Sequence, residues 1–126
     1  MPGNDTRQVR GRHGEKAAEE FLCAQGYTIL VRNYRVSFGE IDIIAMDRQT
    51  LVFVEVRTHS GDIFGDPLES VNLRKQRQIA KAALHYLSRN GSLEREARFD
   101  VVGICWEDGQ ARISHVKNAF ESPRSW

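Results

Sequence analysis

Two strand-length stretches, GEIDIIAM at residues 39–46 and LVFVEVR at residues 51–57, decide the fold of this chain. Both are rich in β-branched residues, which favour extended backbone. The four residues between them, 47–50, are DRQT and are typical of a turn. The pattern therefore predicts an antiparallel hairpin.

The second strand of this hairpin carries a carboxylate in an apolar setting. Because side chains alternate across a strand, Glu55 shares a face with Phe53 and Arg57, and the valines 52, 54 and 56 occupy the other face. Burying a carboxylate without a partner costs on the order of several kcal/mol. We therefore expect a cation or hydrogen-bond donors beside Glu55.

The hairpin register brings a second carboxylate to Glu55. With the turn at 47–50, Met46 pairs with Leu51, and the same register places Asp42 opposite Glu55. Opposed residues have Cβ atoms about 4.5–5.5 Å apart, where like charges destabilise a sheet. A divalent cation would resolve this repulsion, and Mg²⁺ is typically held by one or two carboxylates with water and substrate phosphate. The alternative is that both are edge-strand charges bonded to water, lysine or arginine.

The same register places Glu40 opposite Arg57, so a cross-strand ion pair is one role for this arginine. Strand alternation also predicts that Glu40, Asp42 and Ile44 share a face.

Outward from the hairpin, hydrophobic periodicity and turn residues predict the element order α-β-β-β-α-β-β. Gly26 ends the first helix, and Asp66 is the expected N-cap of the second. This order predicts an α/β fold with one central mixed β-sheet flanked by helices. It forms a single domain over residues 9–118, between a flexible arm at 1–8 and a frayed tail at 119–126. The predicted elements are a helix over 9–25, strands over 27–35, 38–46 and 51–58, a helix over 67–89, and strands over 99–106 and 111–116.

A third carboxylate lies on the first helix. Glu15 falls on one stripe with Gly11, Ala18 and Leu22, at the edge of the predicted buried face. From there its side chain can point across the sheet toward the other two carboxylates. The alternative is a glutamate near a helix N-terminus that the helix dipole stabilises.

One lysine interrupts the apolar stripe of the second helix. Lys75 is aligned with Val71, Ile79 and Ala82, so it faces the sheet near the start of the helix. We expect its ammonium to reach the acidic site. The alternative is a lysine that buries its stem and keeps its charge in water.

Basic residues cluster locally although the whole chain is nearly neutral. The second helix has no acidic residue between Asn72 and Ser88, which is typical of a surface that binds phosphates. The alternative is a solvated helix face. The residues expected to bind the nucleic-acid backbone are Arg12, Arg32, Arg74, Arg77 and Lys81.

Composition limits the class of protein without selecting a function. The 126 residues are 40% apolar and 28% charged, with a net charge of +1, which is ordinary for one globular domain. The apolar runs are strand-sized, so we expect no membrane partner, and the polar stretch 1–12 does not match a secretory signal. Cys23 and Cys105 lack metal-ligand spacing, and we expect two buried free thiols in a reducing cytoplasm.

Several short motifs together resemble the YraN family of bacterial proteins. The most specific are Gly39-Glu40-Ile41-Asp42 and Phe53-Val54-Glu55-Val56-Arg57, and the resemblance runs from about residue 10 to residue 105. The others are Gly14-Glu15, Gly26-Tyr27, Arg32-Asn33, Phe64-Gly65 and Arg98-Phe99-Asp100. The acidic series Glu15, Asp42, Glu55 also resembles that of archaeal Holliday junction resolvases, which belong to the PD-(D/E)xK nuclease superfamily.

The resemblance implies a restriction-endonuclease-like core and cleavage of DNA, such as branched DNA, with Mg²⁺ or Mn²⁺. It implies that Glu15, Asp42 and Glu55 are metal ligands and that a metal-bound water attacks the phosphodiester. The nuclease signature ends in lysine, and Arg57 stands there instead. Arginine can hold a phosphate bidentately, but it cannot take a proton from water. Resolvases act as dimers, so the resemblance also implies a homodimer.

Three functions stay open. The retained acids favour a metal-dependent endonuclease, in which Glu15, Asp42, Glu55, Arg57 and Lys75 form the catalytic set. Arg57 favours a nucleic-acid-binding protein with a nuclease fold and no catalysis. An assembly partner for other DNA-handling proteins is the third alternative, and it predicts a large exposed apolar patch.

Overall fold

The computed structural model describes residues 6–60, 67–91 and 94–121, with side chains over 13–59, 68–91 and 94–121. Helices and strands follow one another in the predicted order, with one short 3-10 helix added before the second α-helix. They are α1 (Thr6–Ala24), β1 (Thr28–Val36), β2 (Gly39–Asp47), β3 (Thr50–Ser60), the 3-10 helix (Pro67–Ser70), α2 (Leu73–Arg89), β4 (Ala97–Glu107) and β5 (Gln110–Phe120).

The strands form one five-stranded sheet in the order β1-β2-β3-β4-β5. Three neighbouring pairs are antiparallel, and β3 and β4 are parallel. Parallel neighbours need a crossover, which the segment containing α2 supplies. The predicted α/β fold with a mixed central sheet is confirmed.

The sheet separates two apolar cores. On one face Phe53 packs with Ile44 and with Ile79 of α2, and on the other Val54 packs with Leu22 of α1. The valines of β3 therefore lie on the α1 face and Phe53 on the α2 face, as the alternation predicts. The apolar stripe of α2 holds it on the sheet, because its buried residues recur at helical spacing: Ile79, Ala80, Ala82, Ala83 and Leu87.

The hairpin of β2 and β3 has the predicted register. Met46 pairs with Leu51, and the ladder continues to Ile43 and Val54. The turn is tighter than the sequence indicates, because Asp47 pairs with Thr50 and leaves two residues at the tip. Arg48 takes a positive φ of 58° there, which suits a two-residue hairpin turn.

Both ends of the predicted domain need correction. Helix α1 begins at Thr6, so residues 6–8 of the expected arm are helical. Strand β5 runs to Phe120, so the expected frayed tail is wrong at residues 119–120. The Phe120 ring stacks on Phe99 with centroids 4.8 Å apart, and this packing extends the strand. The rest of the expected tail, 122–126, lies outside the described residues.

The predicted start of the second helix is also wrong. Pro67 opens a 3-10 helix, and α2 begins six residues later at Leu73. Asn72 is the N-cap, and its side chain accepts a hydrogen bond from the Lys75 N–H at 2.9 Å. The expected cap, Asp66, lies outside the described residues.

Two smaller expectations concern the cysteines and the membrane. Cys23 and Cys105, both among the described residues, form no disulfide, and Cys105 is buried; Cys23 is exposed, so the prediction that it is buried is wrong. Cys23 lies on the solvent side of α1, beyond the stripe that packs on the sheet. Over the residues that the structure describes, neither α-helix is long and apolar enough to cross a membrane.

Candidate metal centre

Asp42 lies where β2 and β3 separate. The backbone ladder ends at Ile43 and Val54, one residue before Asp42 would pair with Glu55. The Asp42 carboxylate extends the pairing instead, because its Oδ2 accepts a hydrogen bond from the Val56 N–H at 2.7 Å. The two strands are thus joined by a side chain at the point where they diverge.

The neighbouring strand β1 is irregular at the same level. Asn33, which the register places opposite Asp42, has a φ of +52°, a conformation that asparagine tolerates better than most residues. Ile41 and Ile44 both pack in the core beneath α2, so the alternation of β2 is broken between them. The expectation that Glu40, Asp42 and Ile44 share a face is therefore wrong, since the irregular backbone turns Asp42 into the gap.

Glu55 is buried, with only 3% of its surface exposed. Two cations lie beside it, as expected: Arg57 Nη1 is 3.4 Å and Lys75 Nζ is 3.6 Å from Glu55 Oε2. Lys75 reaches the carboxylate from α2, on the face that helical spacing predicts. The hypothesis that its ammonium enters the acidic site is confirmed.

The Asp42 and Glu55 carboxyl groups interact with each other. Burial raises the pKa of Asp42 well above its ordinary value, and repulsion from Glu55 and a hydrogen bond between the two carboxyl groups raise it further. The Val56 N–H opposes this shift only in part. A pair of carboxyl groups in this state favours either a shared proton or a bound cation.

Glu15 approaches from α1 and is half-buried. Burial is the main cause that raises its pKa, and the charge of Asp42 adds to the shift, while a hydrogen bond from Asn33 opposes it. A pocket of about 170 Å³ is lined by Glu15, Asp42 and Asn33 among others. Glu15 therefore lies near Asp42, and Asp42 in turn lies near Glu55.

Gly14 explains how α1 comes so near the sheet. A side chain at this position would collide with the Thr58 hydroxyl of β3, so glycine allows the helix to lie against the strand. The next residue, Glu15, is thereby carried to the divergence of β2 and β3. This gives the Gly14-Glu15 motif a physical reason.

The three carboxylates do not form a closed cage. Over the described side chains, no group of three or more His, Cys, Asp or Glu residues is arranged to hold a metal ion. Mg²⁺ does not need one, because it is usually bound by one or two carboxylates and keeps several waters. Asp42 and Glu55 fit that pattern, and Glu15 lies further out.

Arg57 does not form the cross-strand ion pair with Glu40 that was the alternative to a role at the acidic site. Its Nε donates to Ser70 Oγ at 3.0 Å, which turns the guanidinium toward the 3-10 helix and Glu55. Glu40 pairs with Arg35 instead, at 3.2 Å. Cross-strand pairing fails here because β2 and β3 have already separated.

The basic residues expected to bind nucleic acid divide into three groups. Arg74, Arg77 and Lys81 are exposed along α2. Arg32 is exposed but is bound through two nitrogens to Glu19. The side chain of Arg12 lies outside the described residues.

A second polar centre was not singled out from the sequence. Asp100 is fully buried and accepts hydrogen bonds from His115 Nε2 at 2.8 Å, Arg98 Nε at 3.0 Å and the Asn118 N–H at 3.0 Å. Tyr27 also donates to it, at 3.3 Å. The signal that could have found it is the same as for Glu55, a carboxylate in the middle of an apolar strand.

Comparison with known proteins identifies the family. The model of the uncharacterised protein family UPF0102 matches residues 14–104, from the glycine before Glu15 into β4. This chain belongs to UPF0102. The matched range holds all three carboxylates, both cations at Glu55 and the basic face of α2.

UPF0102 relatives of similar length occur in several bacteria. A UPF0102 protein of Desulfosudis oleivorans is 48% identical over 116 residues, covering 92% of this chain and 93% of the relative. One of Moorella thermoacetica is 48% identical over 118 residues, covering 91% and 98%.

Among solved structures, the chain is similar to Pyrococcus furiosus SfsA in complex with Ca²⁺, with a TM-score of 0.40 and 18% identity. That match covers 90% of this chain and 64% of the SfsA chain.

Proposed function

We propose that this UPF0102 protein is an endonuclease that hydrolyses the DNA backbone with Mg²⁺ or Mn²⁺, with branched DNA as one substrate to test. The observation that carries the proposal is the Asp42–Glu55 pair. The two carboxyl groups lie where two strands diverge; burial and the charge of Glu55 raise the pKa of Asp42, and a divalent cation between them would relieve the repulsion. Such a pair is costly for folding alone, which makes a functional role the better explanation.

The donor set fits a hard divalent cation. Asp42 and Glu55 would hold it, and Glu15 would approach through water or directly, since oxygen ligands suit Mg²⁺ and Mn²⁺. A bound cation of this kind supplies charge stabilisation at a phosphoryl oxygen and lowers the pKa of water.

The side chains around the pair have separate tasks. Lys75 places an ammonium beside Glu55. The lysine that ends the nuclease signature would place one in the same way. Arg57, which stands at that position, is held by Ser70 and can grip a phosphate with its planar guanidinium. Lys75 is the one of these two cations that can exchange a proton.

Helix α2 supplies the surface for the DNA backbone. Arg74, Arg77 and Lys81 are exposed on it, and the helix has no acidic residue. Contacts of this type position a phosphate backbone without reading its sequence, and they weaken as salt is raised. Binding is therefore expected to fall with ionic strength.

A second candidate is a DNA-binding protein without catalysis. The observation that favours it is that Arg57 and Lys75 already neutralise Glu55. In that case Glu55 holds the Arg57 and Lys75 side chains in place to bind DNA, and no metal is required. A homodimer and a cytoplasmic location are predictions that go with either candidate.

The test is cleavage of end-labelled duplex, single-stranded, flap and four-way junction DNA with Mg²⁺, Mn²⁺ or EDTA. We expect cleavage that requires metal. The variants Asp42→Asn and Glu55→Gln should lower its rate by more than about 100-fold, beyond the effect typical of residues that only support a ligand.

Matched controls separate chemistry from binding. Glu107→Gln removes an exposed carboxylate that pairs with Arg112, and it should leave the rate unchanged. Lys75→Met should abolish cleavage, whereas Lys81→Met should only weaken DNA binding, most clearly at low salt, and make the salt dependence of binding shallower. Metal-independent binding with no cleavage of any substrate would refute the endonuclease and favour the second candidate.

A further inference from the structure

A groove runs along α2 away from Glu55, and it is called here the α2 groove. Its first part, of about 420 Å³, is lined by Arg35, Phe38, Glu40, Lys75 and Gln78 among others. Its second part, of about 530 Å³, is lined by Phe38, Lys81, Leu84, His85 and Ser88. Phe38 belongs to both parts, and Lys75 connects the first part to Glu55.

Phe38 is unusually exposed for a large aromatic residue. It sits in the turn between β1 and β2, and 45% of its surface is open to solvent. A polar residue would suit the tip of a two-residue turn, and the contact with His85 leaves much of the Phe38 ring uncovered. The ring forms a wall of the groove.

The position of Phe38 is fixed by its neighbours. At Gly39 an added Cβ would lie 2.8 Å from the Gln78 carbonyl oxygen, so the hairpin backbone rests directly on α2. The His85 ring meets Phe38 edge to face, with centroids 6.0 Å apart. His85 is in turn held by the Tyr34 hydroxyl, 2.6 Å from its Nδ1. The ring is therefore a pre-organised platform on rigid elements.

Charge indicates what the platform binds. Arg35, Lys75 and Lys81 line the groove. Among the described residues that line it, the one carboxylate is Glu40, which is paired with Arg35, while Lys75 also pairs with Glu55 at the end of the groove. An exposed aromatic face between cations suits a ligand with flat apolar groups on an anionic backbone. Single-stranded nucleic acid has this chemistry, because its bases stack on aromatic rings while its phosphates meet basic side chains.

We propose that the α2 groove binds unpaired nucleotides, with one base stacked on Phe38 and the flanking phosphates near Lys75 and Lys81. Lys75 to Ser88 spans about 20 Å at ~1.5 Å per residue, which accommodates several nucleotides. The substrate class is then DNA with a single-stranded segment beside the site of cleavage. This placement beside a cleaved bond rests on the proposed function, whereas the binding of unpaired bases does not.

The test is binding of a short single strand containing 2-aminopurine, and of the same strand in a duplex, in EDTA so that no cleavage occurs. We expect quenching of the analogue on binding, because it reports stacking. Phe38→Ala should weaken single-strand binding by about 5- to 100-fold. Phe38→Trp should restore it, and Phe38→Leu, which keeps apolar bulk without a flat ring, should not.

A matched control is Leu30→Ala on β1, because Leu30 is 44% exposed but lies near the other end of that strand. It should leave single-strand binding unchanged, as Phe38→Ala should leave duplex binding unchanged. Unfolding temperatures of all variants exclude a folding defect.

Several outcomes would overturn the proposal that the α2 groove binds unpaired nucleotides. They are no binding by the wild type, equal losses for single strand and duplex, or no rescue by tryptophan. The alternative is that the protein self-associates through this surface. In that case Phe38→Ala would abolish self-association and leave single-strand binding unchanged, and the surface would be assigned to a second copy of the chain.

The two proposals fail separately. Stacking that depends on Phe38, without cleavage of any substrate, would keep the groove and reject the endonuclease. Metal-dependent cleavage without any effect of Phe38 would keep the endonuclease and reject the groove.

Discussion

Two aspartates in this chain occupy nearly the same backbone setting and have opposite electrostatics. Asp42 accepts the Val56 N–H at 2.7 Å, and Asp100 accepts the Asn118 N–H at 3.0 Å. Each lies where a strand ladder is irregular, beside an asparagine of a neighbouring strand with a φ of 52°. Local backbone geometry therefore does not distinguish them.

The neighbouring side chains distinguish Asp42 from Asp100. Burial raises the pKa of Asp100, but hydrogen bonds from His115, Arg98 and the Asn118 N–H outweigh it, and the net pKa is lowered. Burial raises the pKa of Asp42, and Glu55 raises it further. The Asp100 carboxylate is thus stabilised by hydrogen bonds within the fold, whereas the Asp42 carboxylate is destabilised by its neighbour Glu55. We infer that Asp100 is a structural residue and that Asp42 is a candidate functional residue.

The Asp100 network also ties together distant parts of the chain. Arg98 bridges Asp100 to Asp47 at the end of β2, where Nη2 and Oδ2 are 2.9 Å apart, and it donates to the Tyr27 hydroxyl. Burial and the nearby Asp100 raise the pKa of Tyr27 to about 12, so its phenol keeps its proton and donates. The network joins the residue that precedes β1 to β2, β4 and β5.

The largest expected effect comes from breaking this network. Asp100→Asn should destabilise the protein by about 3–5 kcal/mol, because it removes the charge of a fully buried carboxylate that accepts hydrogen bonds from Arg98, His115 and the Asn118 N–H. Urea unfolding followed by circular dichroism measures this. A loss below about 1 kcal/mol would mean that the network is dispensable, and the comparison of the two aspartates would collapse.

A smaller loss is expected from removing the cation beside Glu55. Lys75→Met should destabilise the fold by about 1–3 kcal/mol, since a buried carboxylate loses a charged partner that is itself partly exposed. Added Mn²⁺ should raise the unfolding temperature of this variant more than that of the wild type, because a metal replaces the lost charge. Equal shifts in both proteins would place the metal elsewhere.

Asp42→Asn should change the free energy of unfolding in the opposite direction. The amide oxygen can still accept the Val56 N–H, and the amide can donate to Glu55, so repulsion is replaced by a hydrogen bond. We expect the protein to be stabilised by about 1 kcal/mol, as is common when a strained functional group is removed. Thermal unfolding at neutral pH checks this, and clear destabilisation would show that Asp42 has a structural role like that of Asp100.

The pH dependence sharpens the same contrast. The folded pKa of Asp100 is lowered, so its contribution to stability is present above about pH 4 and is lost as the pH falls further. The folded pKa of Asp42 is raised, so its contribution is present at low pH and is lost as the pH rises through that pKa.

The two variants should therefore diverge as the pH changes. The deficit of Asp100→Asn should shrink below about pH 4, and the gain of Asp42→Asn should grow with pH. Unfolding free energies measured from acid to neutral pH test both trends, and parallel curves for the two variants would contradict the account.

The sequence predicted well what depends on local periodicity. The register of β2 and β3 followed from two strand-length runs and a turn, and it brought Asp42 to Glu55. The reach of Lys75 followed from its place on the apolar stripe of α2. Both succeed because side-chain direction in a regular element is set by the element itself.

What the sequence did not predict depends on irregular backbone or on distant contacts. The side-chain alternation of β2 is broken between Ile41 and Ile44, and Asn33 opposite Asp42 has a positive φ, whereas the rules for regular strands assume neither irregularity. Arg57 turned to Ser70 rather than Glu40, because the strands separate at that level. The Asp100 network joins residues as far apart in sequence as Tyr27 and His115, which local patterns do not relate.

Calorimetric titration with Mn²⁺ tests whether the Asp42–Glu55 pair binds a divalent cation. The wild type should bind one equivalent with proton release, and more tightly as the pH rises, because the metal displaces the proton of the pair. Asp42→Asn and Glu55→Gln should abolish binding, whereas Glu107→Gln should not change it. Binding that survives both substitutions, or a wild type that binds no metal, would contradict the account.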